Sequence, residues 1–138
     1  MGTRALHVGI LESLFMLIGF DRNVVTAMRL SRKFYGPDVP MLSLMYAVRG
    51  RRFRDTPWFV GGSSSKALEY FRRAAELDPR FINNYEDIAV TYEKMRENDK
   101  AIKYWQKVIE LPLQERYRKW GIEAKERAEK TLERLKAQ

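Results

Sequence analysis

An eleven-residue pattern recurs after a displacement of 34 positions. Residues 67–77 read Ala-Leu-Glu-Tyr-Phe-Arg-Arg-Ala-Ala-Glu-Leu, and residues 101–111 read Ala-Ile-Lys-Tyr-Trp-Gln-Lys-Val-Ile-Glu-Leu. Ala67 pairs with Ala101, Tyr70 with Tyr104, Phe71 with Trp105, Ala74 with Val108 and Leu77 with Leu111. Small, large aromatic and small residues at i, i+4 and i+7 share one face of a helix, and Pro79 and Pro112 stop each helix soon afterwards. Thirty-four is the period of a helix-turn-helix unit. Such a unit buries its apolar face only on a neighbour. Ala67 and Ala101 let backbones approach, while Phe71 and Trp105 fill the space between successive helical pairs.

Residues 81–96 supply the partner helix. Tyr85, Ile88, Ala89, Tyr92 and Met95 recur at i, i+3, i+4, i+7 and i+10, with Asp78-Pro79 opening the segment and Glu97-Asn98-Asp99 closing it. The block 81–112 resembles a tetratricopeptide repeat. Tyr85, Ile88, Ala89, Tyr92, Ala101, Trp105 and Val108 occupy that motif's bulky and small core positions, and Arg96 stands where its turn glycine usually lies. Ala67, Phe71, Ala74 and Pro79 match the second half of a preceding repeat. Within this superfamily, the Gly-Gly-Ser opening, Ala-Leu-x-Tyr-Phe, Asp-Pro-x-Phe and the Lys/Glu-rich last helix are similar to two bacterial groups. One comprises relatives of the regulator of microtubule dynamics family; the other is the periplasmic T component of tripartite ATP-independent transporters.

Upstream the pattern is weaker. Val8, Leu11 and Phe15, a turn at Gly19-Phe20-Asp21, then Val24 and Met28 read as a degenerate hairpin over 5–37. A second hairpin spans 38–79, its first helix at Met41–Val48 and a long internal loop at 50–62. The clear repeat follows at 81–112. Residues 114–137 form a capping helix with Tyr117, Trp120, Ala124, Ala128, Leu132 and Leu135 on one face, and Glu123–Arg127 and Glu126–Lys130 as i,i+4 pairs. The expectation is therefore one all-α domain of seven helices with no strand. The resemblance implies a right-handed α-α superhelix of about three hairpins plus the cap.

Composition narrows the chemistry. There is no Cys, which removes disulfides, zinc-thiolate sites and thiol catalysis, and His7 is the one histidine. Ser63-Ser64-Ser65 reads as a helix N-cap, and Gly61-Gly62 lacks the spaced Gly-Lys-Ser/Thr of a phosphate loop. We expect no enzyme, no metal and no cofactor. The apolar run Val8–Phe20 carries Glu12 and no small-residue cleavage site, and its ~20 Å helical length falls short of a ~30 Å hydrocarbon core. It reads as a buried first helix, with an oligomer interface or a peripheral membrane contact as the other uses of its all-round apolar surface. No feature fixes a compartment; the cytoplasm is favoured, with the periplasm or a membrane periphery open.

The superfamily resemblance implies a non-catalytic interaction module that binds a protein or peptide in a concave groove lined by first helices. Family geometry then places Asn83, Glu86, Val90, Glu93 and Lys94 in the groove. Glu86 and Asp87 stand where a carboxylate-binding groove of the chaperone-tail kind requires basic or amide groups. A second contact surface is the long loop, with Arg51, Arg52, Arg54, Trp58 and Phe59. The net charge is +8, and residues 1–62 hold nine basic against four acidic groups, so the excess gathers at Arg49–Arg54. Arginines interleaved with Phe53 and Trp58 combine phosphate neutralisation with base stacking, which makes RNA or single-stranded DNA the alternative ligand. Asp55 interrupts the cluster, and no standard recognition motif is present.

Overall fold

The computed structural model describes residues 2–36 and 40–138, and side chains within them except those at 2–11, 13, 35 and 40. Six α-helices follow in order: α1 (Gly2–Tyr35), α2 (Pro40–Asp55), α3 (Ser64–Leu77), α4 (Ile82–Lys94), α5 (Asn98–Glu110) and α6 (Arg118–Lys136). Single 3-10 turns at Trp58–Val60 and Glu115–Tyr117 precede α3 and α6, and the described residues contain no strand.

The repeated face is the core. Ala67, Phe71 and Ala74 of α3 and Ala101, Trp105 and Val108 of α5 are all buried, as the displacement requires. Between them lies α4, which packs on α2, α3, α5 and α6 and buries nine of its thirteen residues, polar ones included. Fully burying a side chain such as Ile88 contributes ~1.5–3 kcal/mol, so a helix sealed on several sides organises the rest. Asn84 Nδ2 donates to Ser43 Oγ at 3.2 Å and to the Asp78 carbonyl at 3.3 Å, while Ser43 Oγ donates to the Ala74 carbonyl at 2.8 Å. That buried chain of polar contacts ties α2, α3 and α4 together.

Local chemistry sets the boundaries. Ser63 caps α3, its Oγ accepting from Lys66 N at 3.2 Å, as the serine triplet predicts. At the end of α4 the chain reverses through Arg96, whose φ of 60° is the conformation a turn glycine adopts freely. Arg96 N donates to the Glu93 carbonyl at 2.9 Å and Glu97 N to the Tyr92 carbonyl at 3.0 Å, closing the helix without a glycine. Lys125 Nζ of α6 reaches the Val108, Ile109 and Leu111 carbonyls and caps the end of α5.

Three expectations need correction. The hairpin over 5–37 is not formed: α1 runs unbroken through Gly19-Phe20-Asp21. One helical glycine costs ~1 kcal/mol, and no proline follows to enforce a stop. Leu17, Asp21, Val24, Met28 and Ser31 form a single i, i+4, i+7, i+11, i+14 stripe that is buried or half-buried, and a turn would split it. The end of that hairpin at Pro37 lies outside the described residues. Nor is the first helix buried: Leu14, Phe15, Met16, Ile18 and Phe20 are exposed, and α1 packs on α2. Among the described residues the helices therefore number six rather than the expected seven. No helix among the described residues is long and apolar enough to cross a membrane.

The long loop at 50–62 is the third correction, since α2 continues to Asp55. Gly50 is not a breaker but a contact point. A Cβ there would lie 2.5 Å from Phe71 Cε1, so the missing side chain lets α2 seat directly on the buried ring. The arginines that follow are good helix formers, and the helix runs until Thr56-Pro57. What remains of the loop is short and pinned: Ser63 N donates to the Phe53 carbonyl at 2.9 Å, Gly62 N to the Pro57 carbonyl at 2.9 Å, and Gly61 supplies a φ of 92°.

Candidate functional site

Extending α2 through Asp55 moves the arginines from a loop onto a helix that faces α4. Arg51 Nε lies 3.1 and 3.0 Å from the two Asp87 carboxylate oxygens and Arg51 Nη2 lies 2.8 Å from Oδ2, while Arg54 Nη1 donates to Oδ1 at 3.0 Å. Arg54 also forks onto Asp55 and lies over the Phe71 ring, 5.5 Å from its centroid. Burial pushes the Asp87 carboxyl up, with the guanidiniums of Arg51 and Arg54 pulling the other way. Burial works against the charge of Arg54 too, but Asp55 and Asp87 hold it above its ordinary value.

From the opposite side α6 offers a matching row. Arg127 Nε and Nη2 donate to Glu86 Oε2 and Oε1 at 2.7 and 3.0 Å, and Arg134 Nη2 donates to Glu93 Oε2 at 2.6 Å. Both pairs keep one offset of 41 residues, so α4 and α6 run in the same direction with α5 returning between them. Arg127, expected to pair with Glu123, takes its ion pair from Glu86 instead, because that edge of α6 is turned toward α4. Glu93 is completed by Trp105 Nε1, which donates to Oε1 at 2.6 Å. The acids of α4 are therefore held by arginines from both flanking helices.

These side chains surround a cavity of about 520 Å³ lined by residues of α2, α4 and α6, with Trp105 of α5. Arg51, Arg54, Glu86, Asp87 and Arg127 make its ionic part, while Leu44, Phe81, Val90, Trp105 and Trp120 supply apolar surface. A neighbouring cavity of about 280 Å³ shares Leu44, Phe81 and Trp120 and adds Met41, Tyr117, Arg116 and Asp78, so the two form one groove. Tyr117 and Trp120 stack at 5.8 Å with an 11° angle, and Phe81 packs on Tyr117 at 4.8 Å.

Asn83, Glu86 and Val90 line this cavity. Glu93 is consumed by Trp105 and Arg134, and Lys94 turns to the Arg54 carbonyl. Arg51 and Arg54, assigned to a separate loop surface, belong to the same groove. Arg52 does not: it pairs with Asp21 of α1 at 3.0 Å and donates to the Gly61 carbonyl at 3.0 Å. Trp58 and Phe59 stand apart on their 3-10 turn, 84% and 64% exposed and packed edge to face on each other. The sequence reading missed Leu44, Phe81, Trp120 and Arg127. Trp120, Arg127 and Arg134 recur every seven residues, beside the Gly121, Ala124, Ala128 stripe that is buried; this marks an edge of α6 but not the helix it faces.

A family model described as Regulator of microtubule dynamics protein 1-3 matches residues 60–136, more than half of the chain. The chain belongs to that family. The matched stretch begins at the 3-10 turn before α3 and ends in α6, so it takes in the groove's α4 floor and α6 wall, while the α2 wall precedes it. Of the two groups suggested by the sequence, the microtubule-dynamics one is the group matched. No curated protein and no solved structure matches the chain. Among the described residues no group of His, Asp and Glu is arranged to hold a metal ion.

Proposed function

We propose that this protein is a non-catalytic interaction module, built as a tetratricopeptide-like stack, that binds a protein or peptide in the groove across α2, α4 and α6. The observation that carries this reading is the groove itself: half-exposed Trp120 and Leu44 beside ordered guanidiniums, in a concavity sized for a few side chains. The shared direction of α4 and α6 and the 34-residue recurrence of α3 in α5 support a stack of helical pairs. Nothing in the groove resembles a nucleophile with its base, and the carboxylates of its larger cavity, Glu86 and Asp87, are paired with arginines.

A quantitative pull-down tests the assignment. Proteins retained by the wild type should be lost with a Leu44→Ser/Trp120→Ser variant and kept with Trp58→Ser/Phe59→Ser. Retention by the groove variant, with loss on the loop variant, would move the site to the aromatic turn. The exposed side chains of α1 support one further contact, with a second copy of the chain. Light scattering that returns 16.3 kDa at all concentrations would remove that contact.

A further inference from the structure

The groove's hydrogen-bonding capacity is unevenly spent. Both oxygens of Asp87, Glu86 and Glu93 already accept from arginine, asparagine or tryptophan donors. Arg54 is also used up, with Nε and Nη2 on Asp55 and Nη1 on Asp87. Of the guanidiniums that line the larger cavity, two are not. Arg51 gives Asp87 only Nε and Nη2, and Arg127 gives Glu86 only Nε and Nη2. In each the Nη1 group has no partner among the described residues, and the side chains are 41% and 52% exposed. A fork pinned along its inner edge presents its outer edge in a fixed direction and has little rotamer freedom left to lose on binding.

Asn83 lines the same cavity, but its Nδ2 is spent on Glu86 and its Oδ1 is buried, so the polar contacts left for a ligand are those of the two arginines. Beyond Asn83 lie Leu44, Phe81 and Trp120.

We propose, on the reading that this groove binds a peptide, that its ligand is a linear segment with an acidic side chain close to an aromatic or long aliphatic one. The carboxylate meets the outer edges of Arg51 and Arg127, and the apolar side chain lies among Leu44, Phe81 and Trp120. Charge complementarity decides the class: between Arg51 and Arg127 the carboxylates of the larger cavity, Glu86 and Asp87, are already paired, so a basic segment finds no open carboxylate there. A nucleic-acid strand repeats its phosphates and needs a track of cations, and two open guanidiniums do not make one.

The test is selection of a random linear peptide library on the full chain, followed by anisotropy titrations with the selected peptides in synthetic, labelled form. The expected peptides pair an acid with an aromatic or aliphatic residue, and binding weakens with added salt. Replacing their acid by its amide, or making Arg127→Gln, costs about tenfold in affinity, as loss of a charged hydrogen bond does. Arg127→Lys, which keeps the charge and loses the fork, recovers only part. Trp120→Ala weakens binding at least as much, and Trp58→Ser leaves it unchanged. Circular dichroism confirms that each variant is folded. Selected peptides without an acid, whose binding Trp120→Ala abolishes, would overturn the acidic ligand and leave the groove reading standing. No enrichment, or binding indifferent to both Trp120 and Arg127, would overturn both. Oligo-dT that binds more tightly than every selected peptide and is released by Arg127→Gln would replace the peptide with a nucleic-acid strand.

Discussion

Replacing Asp87 by Ala removes the one acid that joins two arginines of α2 to α4. The side chain is 7% exposed and accepts four charge-assisted contacts at 2.8–3.1 Å. Its two partners respond differently. Arg51 is 41% exposed and swings into water, whereas Arg54, 13% exposed, stays under the helix with only Asp55 as counter-ion. A wholly unpaired buried charge costs ~3–5 kcal/mol, and Asp55 offsets part of this, so Asp87→Ala should destabilise the fold by ~2–3 kcal/mol. For a chain of this size that lowers Tm by roughly 6–12 °C. A double-mutant cycle apportions the loss. Coupling between Asp87→Ala and Arg54→Met should exceed ~1 kcal/mol, because removing the stranded guanidinium relieves it, whereas coupling with Arg51→Met should stay below that value. Urea unfolding at pH 7 gives all four corners of each cycle. A cost below ~1 kcal/mol for Asp87→Ala, or the larger coupling falling on Arg51, would refute the argument that burial of Arg54 sets the penalty.

Arg96→Gly should raise stability by ~0.5–1 kcal/mol, since glycine relieves the cost of a positive φ and loses part of that gain to its own backbone entropy; an unchanged or lower urea midpoint would contradict the strained turn. Gly50→Ala should lower stability by ~1–3 kcal/mol even though alanine is the better helix former, because its Cβ meets the fully buried Phe71 ring, and a thermal melt above that of the wild type would show that the ring gives way. Asp55 carries the pH dependence we expect: the hydrogen bond from Arg54 holds its carboxyl below the ordinary 3.8, so its contribution is present above that pH and is lost as pH falls through the lowered value. The gap between wild type and Asp55→Asn in melts should accordingly be constant near neutrality and close below about pH 4. It stays small because Asp55 is 62% exposed, and a gap that widens in acid would count against the assignment.

The sequence made the repeated faces legible because their burial is set by period alone. Ala67, Phe71 and Ala74, and their counterparts 34 residues on, face the core wherever the helices pack. The same logic misled at α1 and α2. Gly19 and Gly50 look alike on paper, yet Gly19 has nothing within 4 Å of its would-be Cβ whereas Gly50 lies against Phe71. Only the neighbouring helix distinguishes a glycine that is merely tolerated from one that is needed for contact. The groove was half legible. Asn83, Glu86 and Val90 follow from the first-helix face of the clear repeat, but Arg51, Arg54 and Arg127 lie between 33 and 41 residues from the acids they hold. Local spacing favoured Glu123 as the partner of Arg127, and the tertiary partner won because Glu86, 13% exposed, gains more from a forked hydrogen-bond pair than a solvated acid does.

The stapling role and the proposed binding role of the groove arginines are compatible because guanidinium has two usable edges. One edge of Arg51 closes α2 onto α4, and one edge of Arg127 closes α6 onto α4, while both side chains also line the cavity. A ligand carboxylate therefore adds a contact without breaking an ion pair, and occupation should tighten the three-helix wall rather than loosen it. Lysine cannot divide its charge in this way, since a compact ammonium that turns toward a ligand turns away from its helix partner. The +8 of the chain is thus more than a surface excess: four of its arginines are fixed against three α4 acids, and two of these, Arg51 and Arg127, also line the cavity proposed for a partner.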